Sequence, residues 1–69
     1  MENFYTQEQS TINGRNVWRY LVSTPIGNIH IVQYEQRTME IKTFLFKEHL
    51  EDAERKYKSI VRGILSGAL

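Results

Sequence analysis

Two short links separate three segments that are rich in aromatic and β-branched residues. The segments are NVWRYLVST (16–24), NIHIVQYE (28–35) and MEIKTFLF (39–46), and each is typical of a β-strand. Strands joined by such short links pair antiparallel, because a parallel crossover needs about a dozen residues or more. The first link contains Pro25 and Gly27, which favour a turn. The spacing therefore predicts an antiparallel β-meander.

The residues ahead of these segments leave room for a fourth strand. Residues 1–10 are polar and mildly acidic, and they fit either a flexible tail or a short edge strand. The pair Asn13-Gly14 follows and predicts a tight hairpin turn, because both residues accept positive φ. We therefore expect a sheet of three or four strands, with residues 15–46 as its main part.

From Glu48 onward, the apolar residues recur every three or four positions, as in an amphipathic helix. Acidic residues concentrate early in this region and basic residues late, which complements the helix dipole. Gly67 is well placed to cap the C-terminal end. The pattern predicts one helix over residues 48–66. It should pack on one sheet face through an apolar stripe that consists of Leu50, Tyr57, Ile60 and Ile64.

The length and composition bound the kind of protein that this chain can form. Its 69 residues predict a single small α+β domain, 1–69, with a sheet followed by one C-terminal helix. The chain has no cysteine, so neither disulfides nor a cysteine-rich zinc site can stabilise it, and the core must do so, helped by oligomerisation. We find no signal peptide and no apolar stretch long enough to span a membrane. We therefore expect a cytoplasmic protein without a membrane partner.

Alternation divides the predicted strands between two apolar faces. We assign one of these sets to the core beneath the helix. This set is Trp18, Tyr20, Val22, Ile29, Ile31, Met39, Ile41 and Leu45. The opposite face includes a second apolar set, and because one helix cannot cover both faces, this set is expected to form a contact surface. It consists of Leu21, Val32, Tyr34 and Phe44. Alternatively, Phe4 and Tyr5 fold back over it, or a β-bulge changes the phase of one strand.

No combination of side chains in the sequence indicates catalysis. His30 has no acidic partner two positions away in its strand, and His49 is not part of a zinc-binding HExxH motif. The glycines are scattered, so they form no phosphate-binding loop. We therefore expect no enzyme activity, no cofactor and no small-molecule substrate.

Two segments resemble the AP2-type DNA-binding domain. PIGNIHIV matches a Pro-x-Gly turn that leads into a second strand, and TFLFKEHLEDAERKY matches a Thr-Phe pair followed by an acidic helix start and a tyrosine. The resemblance covers roughly residues 18–67 and extends to the N-terminal domains of phage-type integrases. It implies a three-stranded sheet with a C-terminal helix that reads duplex DNA through the sheet. Arg19 and Trp18 fall near the positions that read DNA in that family.

Two functions remain open at this point. The first is an interaction module that associates with itself, or with another protein, through Leu21, Val32, Tyr34 and Phe44. The second is a module that presents the sheet to duplex DNA through a set of basic residues. This set is Arg15, Arg19, His30, Arg37 and Lys42. The net charge of +1 gives little of the basic excess from which DNA-binding proteins gain affinity.

Overall fold

The computed structural model describes residues 4–69, which form one antiparallel sheet and one helix. The strands pair in chain order, and they are β1 (Phe4–Ile12), β2 (Arg15–Thr24), β3 (Gly27–Glu35) and β4 (Ile41–Lys47). Helix α1 (Leu50–Ser66) follows β4 and packs on one face of the sheet. The predicted α+β class, with a β-meander followed by a C-terminal helix, is confirmed.

The first hairpin forms where the Asn13-Gly14 pair predicted it. Ile12 pairs with Arg15, so the loop contains only Asn13 and Gly14. Their φ angles of 49° and 78° are both positive, as the turns that suit the twist of paired strands require. From Phe4 onward, the N-terminal region is an edge strand rather than a flexible tail. Residues 1–3 lie outside the described residues.

The link between β3 and β4 is longer than predicted, and β4 begins later, at Ile41. Gln36 N–H donates to Glu40 O at 2.9 Å, and Met39 N–H donates to Gln36 O at 2.9 Å. Met39 has a φ of 70° and is 77% exposed. The prediction that Met39 starts a strand and joins the core is therefore wrong. The chain reversal needs a left-handed backbone at this position, which turns the side chain toward solvent.

Helix α1 begins two residues later than predicted and ends as predicted. Glu48 has a φ of 60° and redirects the chain out of β4, and His49 is the N-cap residue. At the other end, Gly67 has a φ of 81°. Its N–H donates to Ile64 O at 3.2 Å, while Ala68 N–H donates to Gly63 O at 2.8 Å. These bonds satisfy carbonyl groups of the last turn, as expected of a glycine cap.

The helix covers the sheet face opposite to the one that we predicted. The buried core consists of Val17, Val32, Tyr34, Ala53, Ile60 and Ile64. Half-buried side chains pack around it, and they are Ile12, Phe44, Phe46, Tyr57 and Leu69. The prediction that the Trp18 set forms the core is wrong. The predicted apolar stripe of α1 is correct at Ile60 and Ile64, which are both buried. Leu50 is 49% exposed, and the small Ala53 is buried instead.

Side-chain size alone does not distinguish the two faces. Val17 and Val32 are buried at 0% and 1% exposure in one cluster with Ala53, Ile60 and Ile64 of α1. Aromatic rings lie on this covered face too, because Tyr34 belongs to the cluster and Phe44 and Phe46 pack against it. The choice of face therefore depends on how all these side chains fit together without voids.

Gly27 joins the second hairpin to the start of the helix. Its φ is 141°, and a Cβ atom there would collide with Glu48 Oε1. That oxygen accepts a hydrogen bond from Asn28 N–H at 2.6 Å, and Glu48 N–H donates to Asn28 O at 2.9 Å. We expect Gly27→Ala to lower the free energy of unfolding by about 1–3 kcal/mol, through backbone strain and loss of this contact. Urea denaturation measures the loss.

Gly14→Ala is the matched control for this prediction. Gly14 also has a positive φ, but no neighbouring atom lies within 4 Å of the position that a Cβ atom would take there. The control therefore reports backbone strain alone, and its loss should be the smaller one. Equal losses for the two variants would show that the contact between Glu48 and Asn28 adds nothing to stability.

Candidate contact surface on the open sheet face

The sheet face opposite α1 has no described element packed over it, and we call it the open face. Strand register and side-chain alternation assign seventeen side chains to it. They are Tyr5, Gln7, Gln9, Thr11, Asn16, Trp18, Tyr20, Val22, Thr24, Ile29, Ile31, Gln33, Glu35, Ile41, Thr43, Leu45 and Lys47.

The centre of the open face is apolar and continuous. Tyr20, Ile31 and Leu45 are neighbours across three strands, and Leu45 is 67% exposed. Tyr5 packs against Tyr20 with ring centroids 5.9 Å apart. Burial and the neighbouring Tyr5 raise the pKa of the Tyr20 hydroxyl above its usual value. A continuous apolar surface of this kind is typical of a contact site.

The polar side chains of the open face bind one another. The Asn16 carboxamide oxygen accepts hydrogen bonds from Gln9 Nε2 at 3.1 Å and from Thr11 Oγ1 at 2.9 Å. Gln33 Nε2 donates to Thr43 Oγ1 at 3.0 Å. Groups that already have partners lose fewer hydrogen bonds when water leaves, so covering this face costs less free energy.

Charge is nearly absent from the open face. Among the described residues 4–69, the only acidic and basic side chains on this face are Glu35 and Lys47, although the full sequence has eight acidic and nine basic residues. Lys47 pairs with Ile29 at one end of the face, and Glu35 pairs with Ile41 at the other. Glu35 Oε1 accepts a hydrogen bond from Asn16 N–H at 2.6 Å. Among residues 4–69, neither side chain forms an ion pair.

The four predicted contact residues lie on the covered face instead. Val32 and Tyr34 are buried at 1% and 7% exposure, and Phe44 stacks on Tyr34 with ring centroids 6.5 Å apart. Leu21 is half-buried on the same side. The prediction that these residues form an uncovered face is wrong, because α1 packs on their side of the sheet.

Two of the predicted DNA-contacting arginines donate hydrogen bonds to backbone oxygens of the chain itself. Arg15 Nε donates to Glu35 O at 3.0 Å, and Arg15 also donates to Leu69 O. Arg37 Nε donates to Leu69 O at 3.0 Å, and a second nitrogen of its guanidinium donates to Gly67 O. Together they hold the segment after α1 against the sheet.

The other three predicted DNA contacts lie on the covered side. The Arg19 guanidinium is 4.6 Å from the centroid of the Tyr57 ring, and its nitrogens lie 3.9 Å and 4.0 Å from the carboxylates of Glu8 and Glu54. His30 and Lys42 are on the same sheet face as Arg19. The structure therefore does not bring the five basic residues together on one open surface.

Arg19 and His30 line a cleft between the sheet and the first half of α1. The cleft measures about 200 Å³, and Glu8, Leu50 and Ala53 also line it. Ligand pockets usually measure about 300–1,000 Å³. Within residues 4–69, no group of three or more acidic or histidine side chains could hold a metal ion.

Sequence reasoning missed the open face, although the residues at one of its ends carried a signal. That end of the Trp18 side has uncharged amide and hydroxyl side chains, such as Gln9, Thr11 and Asn16. A polar, weakly charged rim around aromatic residues is common at protein interfaces. These positions could have identified the Trp18 side as the exposed one.

Comparison of the chain with protein-family models, with curated proteins and with solved structures finds no match. The resemblance to AP2-type and integrase N-terminal-type domains therefore stays a prediction from sequence. None of the helical structure in the described part of the chain has the length and apolar character that a membrane crossing requires.

Proposed function

We propose that this chain is a non-enzymatic interaction module that associates with a second copy of itself through the open face. The observation that carries the proposal is the apolar centre of that face. It consists of Trp18, Tyr20, Val22, Ile29, Ile31 and Leu45. The core on the other side of the sheet is complete without these residues.

The size of the open face supports pairing with an equal surface. Four strands about 4.8 Å apart, each contributing about seven residues at 3.3 Å, project roughly 450 Å² per copy. Accessible area exceeds projected area, so two such faces come near the 1,200 Å² or so at which standard interfaces begin. A second open face also offers the same apolar, weakly charged chemistry. A domain of about 60–70 residues is only marginally stable alone, so it gains stability from such an association.

Charge favours a protein partner over nucleic acid for this face. Phosphate groups bind where lysines and arginines cluster, but the open face has one lysine and one glutamate. Binding to duplex DNA remains the alternative function from the sequence. It would require contacts from the basic residues on the covered side, of which Arg19 already faces two carboxylates.

Two leucine variants test the proposal. Leu45 lies on the open face and Leu65 on α1, and their exposed fractions are similar at 67% and 61%. We expect the wild-type chain to dissociate on dilution. Leu45→Glu should weaken self-association by at least about tenfold, because it places a charge in an apolar interface. Leu65→Glu should behave as wild type. Sedimentation equilibrium over a concentration series measures both effects.

Two results would overturn the proposal. A wild-type chain that stays monomeric up to about 1 mM would have no useful affinity for itself. A loss of association in Leu65→Glu without one in Leu45→Glu would place the contact on α1 instead of on the open face.

A further inference from the structure

We infer that the two open faces pack with their strands reversed, so that Lys47 of each copy lies beside Glu35 of the other. This arrangement rests on the proposed self-association and specifies its geometry. The two-fold axis then lies between the sheets and runs across the strands. Sheets that pack face to face keep their strand directions within about 30° of a common axis, so two such ends can meet.

The two charged residues of the open face cannot pair within one copy. Lys47 is the neighbour of Ile29, and Glu35 lies six residues further along β3. At about 3.3 Å per residue, some 20 Å separate the two positions. A face with a positive charge at one end and a negative charge at the other is complementary to itself only when one copy is reversed.

Strand order decides between the two possible axes. An axis across the strands places β4 of one copy on β4 of the other. Lys47 of one copy then lies over Ile41 of the other copy and next to Glu35, which pairs with Ile41 in that copy. An axis along the strands places β4 on β1. Lys47 would then lie over Tyr5 and Glu35 over Asn16, and both charges would be covered without an opposite charge. A covered, unpaired charge is costly, so the first axis is favoured.

The uncharged residues fit the same axis. Reversal places the row of Tyr20 and Ile31 on the row of Trp18 and Gln33, so each Trp18 meets a tyrosine of the other copy. Symmetry provides this aromatic contact twice. Glu35 uses only Oε1 to bind Asn16 N–H, which leaves Oε2 for the incoming lysine.

A charge exchange between two variants tests this arrangement. Lys47→Glu alone and Glu35→Lys alone each place like charges together twice in the dimer, and each should weaken self-association about tenfold. An equimolar mixture should recover the wild-type affinity as a heterodimer, because both contacts then join opposite charges. Lys58→Glu is the matched control, since Lys58 is exposed on α1 and its substitution changes the net charge equally. Native mass spectrometry separates the homodimers from the heterodimer when one of the two variants is labelled with ¹⁵N.

The outcomes distinguish this inference from the proposal beneath it. A wild-type chain that stays monomeric would contradict both the proposed self-association and the reversed packing. A wild-type dimer in which Lys47→Glu behaves like Lys58→Glu, or in which mixing restores nothing, overturns the reversed packing and leaves self-association through the open face standing. Recovery of the wild-type affinity in the mixture, but in neither variant by itself, supports the reversed packing.

A second set of variants covers the case in which Glu35→Lys does not fold. Glu35→Gln keeps an oxygen that can accept the Asn16 hydrogen bond. We expect Glu35→Gln and Lys47→Gln each to weaken the dimer several-fold, and the double variant to lose no more than the larger single loss. Losses that simply add would contradict a direct contact between the two residues.

Discussion

Replacing Val32 by glutamate is expected to unfold the protein, whereas the same change at its neighbour Ile31 leaves it folded. Val32 is 1% exposed beneath α1, while Ile31 is half-buried on the open face. A carboxylate at position 32 would be enclosed by apolar side chains without a partner, at a cost of about 4 kcal/mol or more. Domains of this size have total stabilities of roughly 3–10 kcal/mol, so this loss is sufficient to unfold many of them.

Far-UV circular dichroism and amide NMR spectra of the two variants measure this difference. The Ile31→Glu protein should keep dispersed amide signals and lose self-association, because the new charge lies in the proposed interface. If the Val32→Glu protein folded and the Ile31→Glu protein did not, α1 would have to pack on the Trp18 side. The pair therefore tests the orientation of the sheet as well as the core.

The order of the elements could be predicted because local signals determine it. Asn13 and Gly14 accept the positive φ that a two-residue loop needs, and Gly67 accepts the same geometry at the end of α1. The change of hydrophobic period after β4 identified the helix. Each of these signals acts within a few residues, so no knowledge of the tertiary structure was required.

The choice of sheet face could not be predicted from the same signals. Alternation separates Val32 from Ile31, but both sets are apolar, and the period does not indicate which one the helix covers. The outcome depends on how Ala53, Ile60 and Ile64 of α1 fit against the side chains of the covered face, which is a matter of three-dimensional packing. The error reversed the expected core and the expected contact surface together.

The roles of the arginines depend on contacts between distant parts of the chain. Arg15 and Arg37 both bind Leu69 O, at separations of 54 and 32 residues in sequence. A basic residue in a turn is compatible with phosphate binding when only its neighbours are known. Here folding brings backbone oxygens to both guanidinium groups, so these arginines hold the end of the chain against the sheet.

Truncating the Ile60 side chain is expected to destabilise the fold more than truncating the Leu65 side chain of the same helix. Ile60 is 3% exposed and belongs to the core with Val17 and Val32. Ile60→Ala removes buried methyl and methylene groups and leaves a cavity, so the free energy of unfolding should fall by about 2–5 kcal/mol. Urea denaturation measures this loss. It should be done in the Leu45→Glu background, so that dissociation of the dimer does not contribute to the transition.

Leu65→Ala is the control for this prediction. Leu65 lies on the same helix but is 61% exposed, so its truncation should change stability by no more than about 0.5 kcal/mol. Similar losses at positions 60 and 65 would mean that α1 has no fixed orientation on the sheet. A large loss at position 60 alone would show that α1 packs on the sheet through the side that contains Ile60. In the structure this side packs with Val17 and Val32, which leaves the Trp18 side as the apolar surface for a second copy.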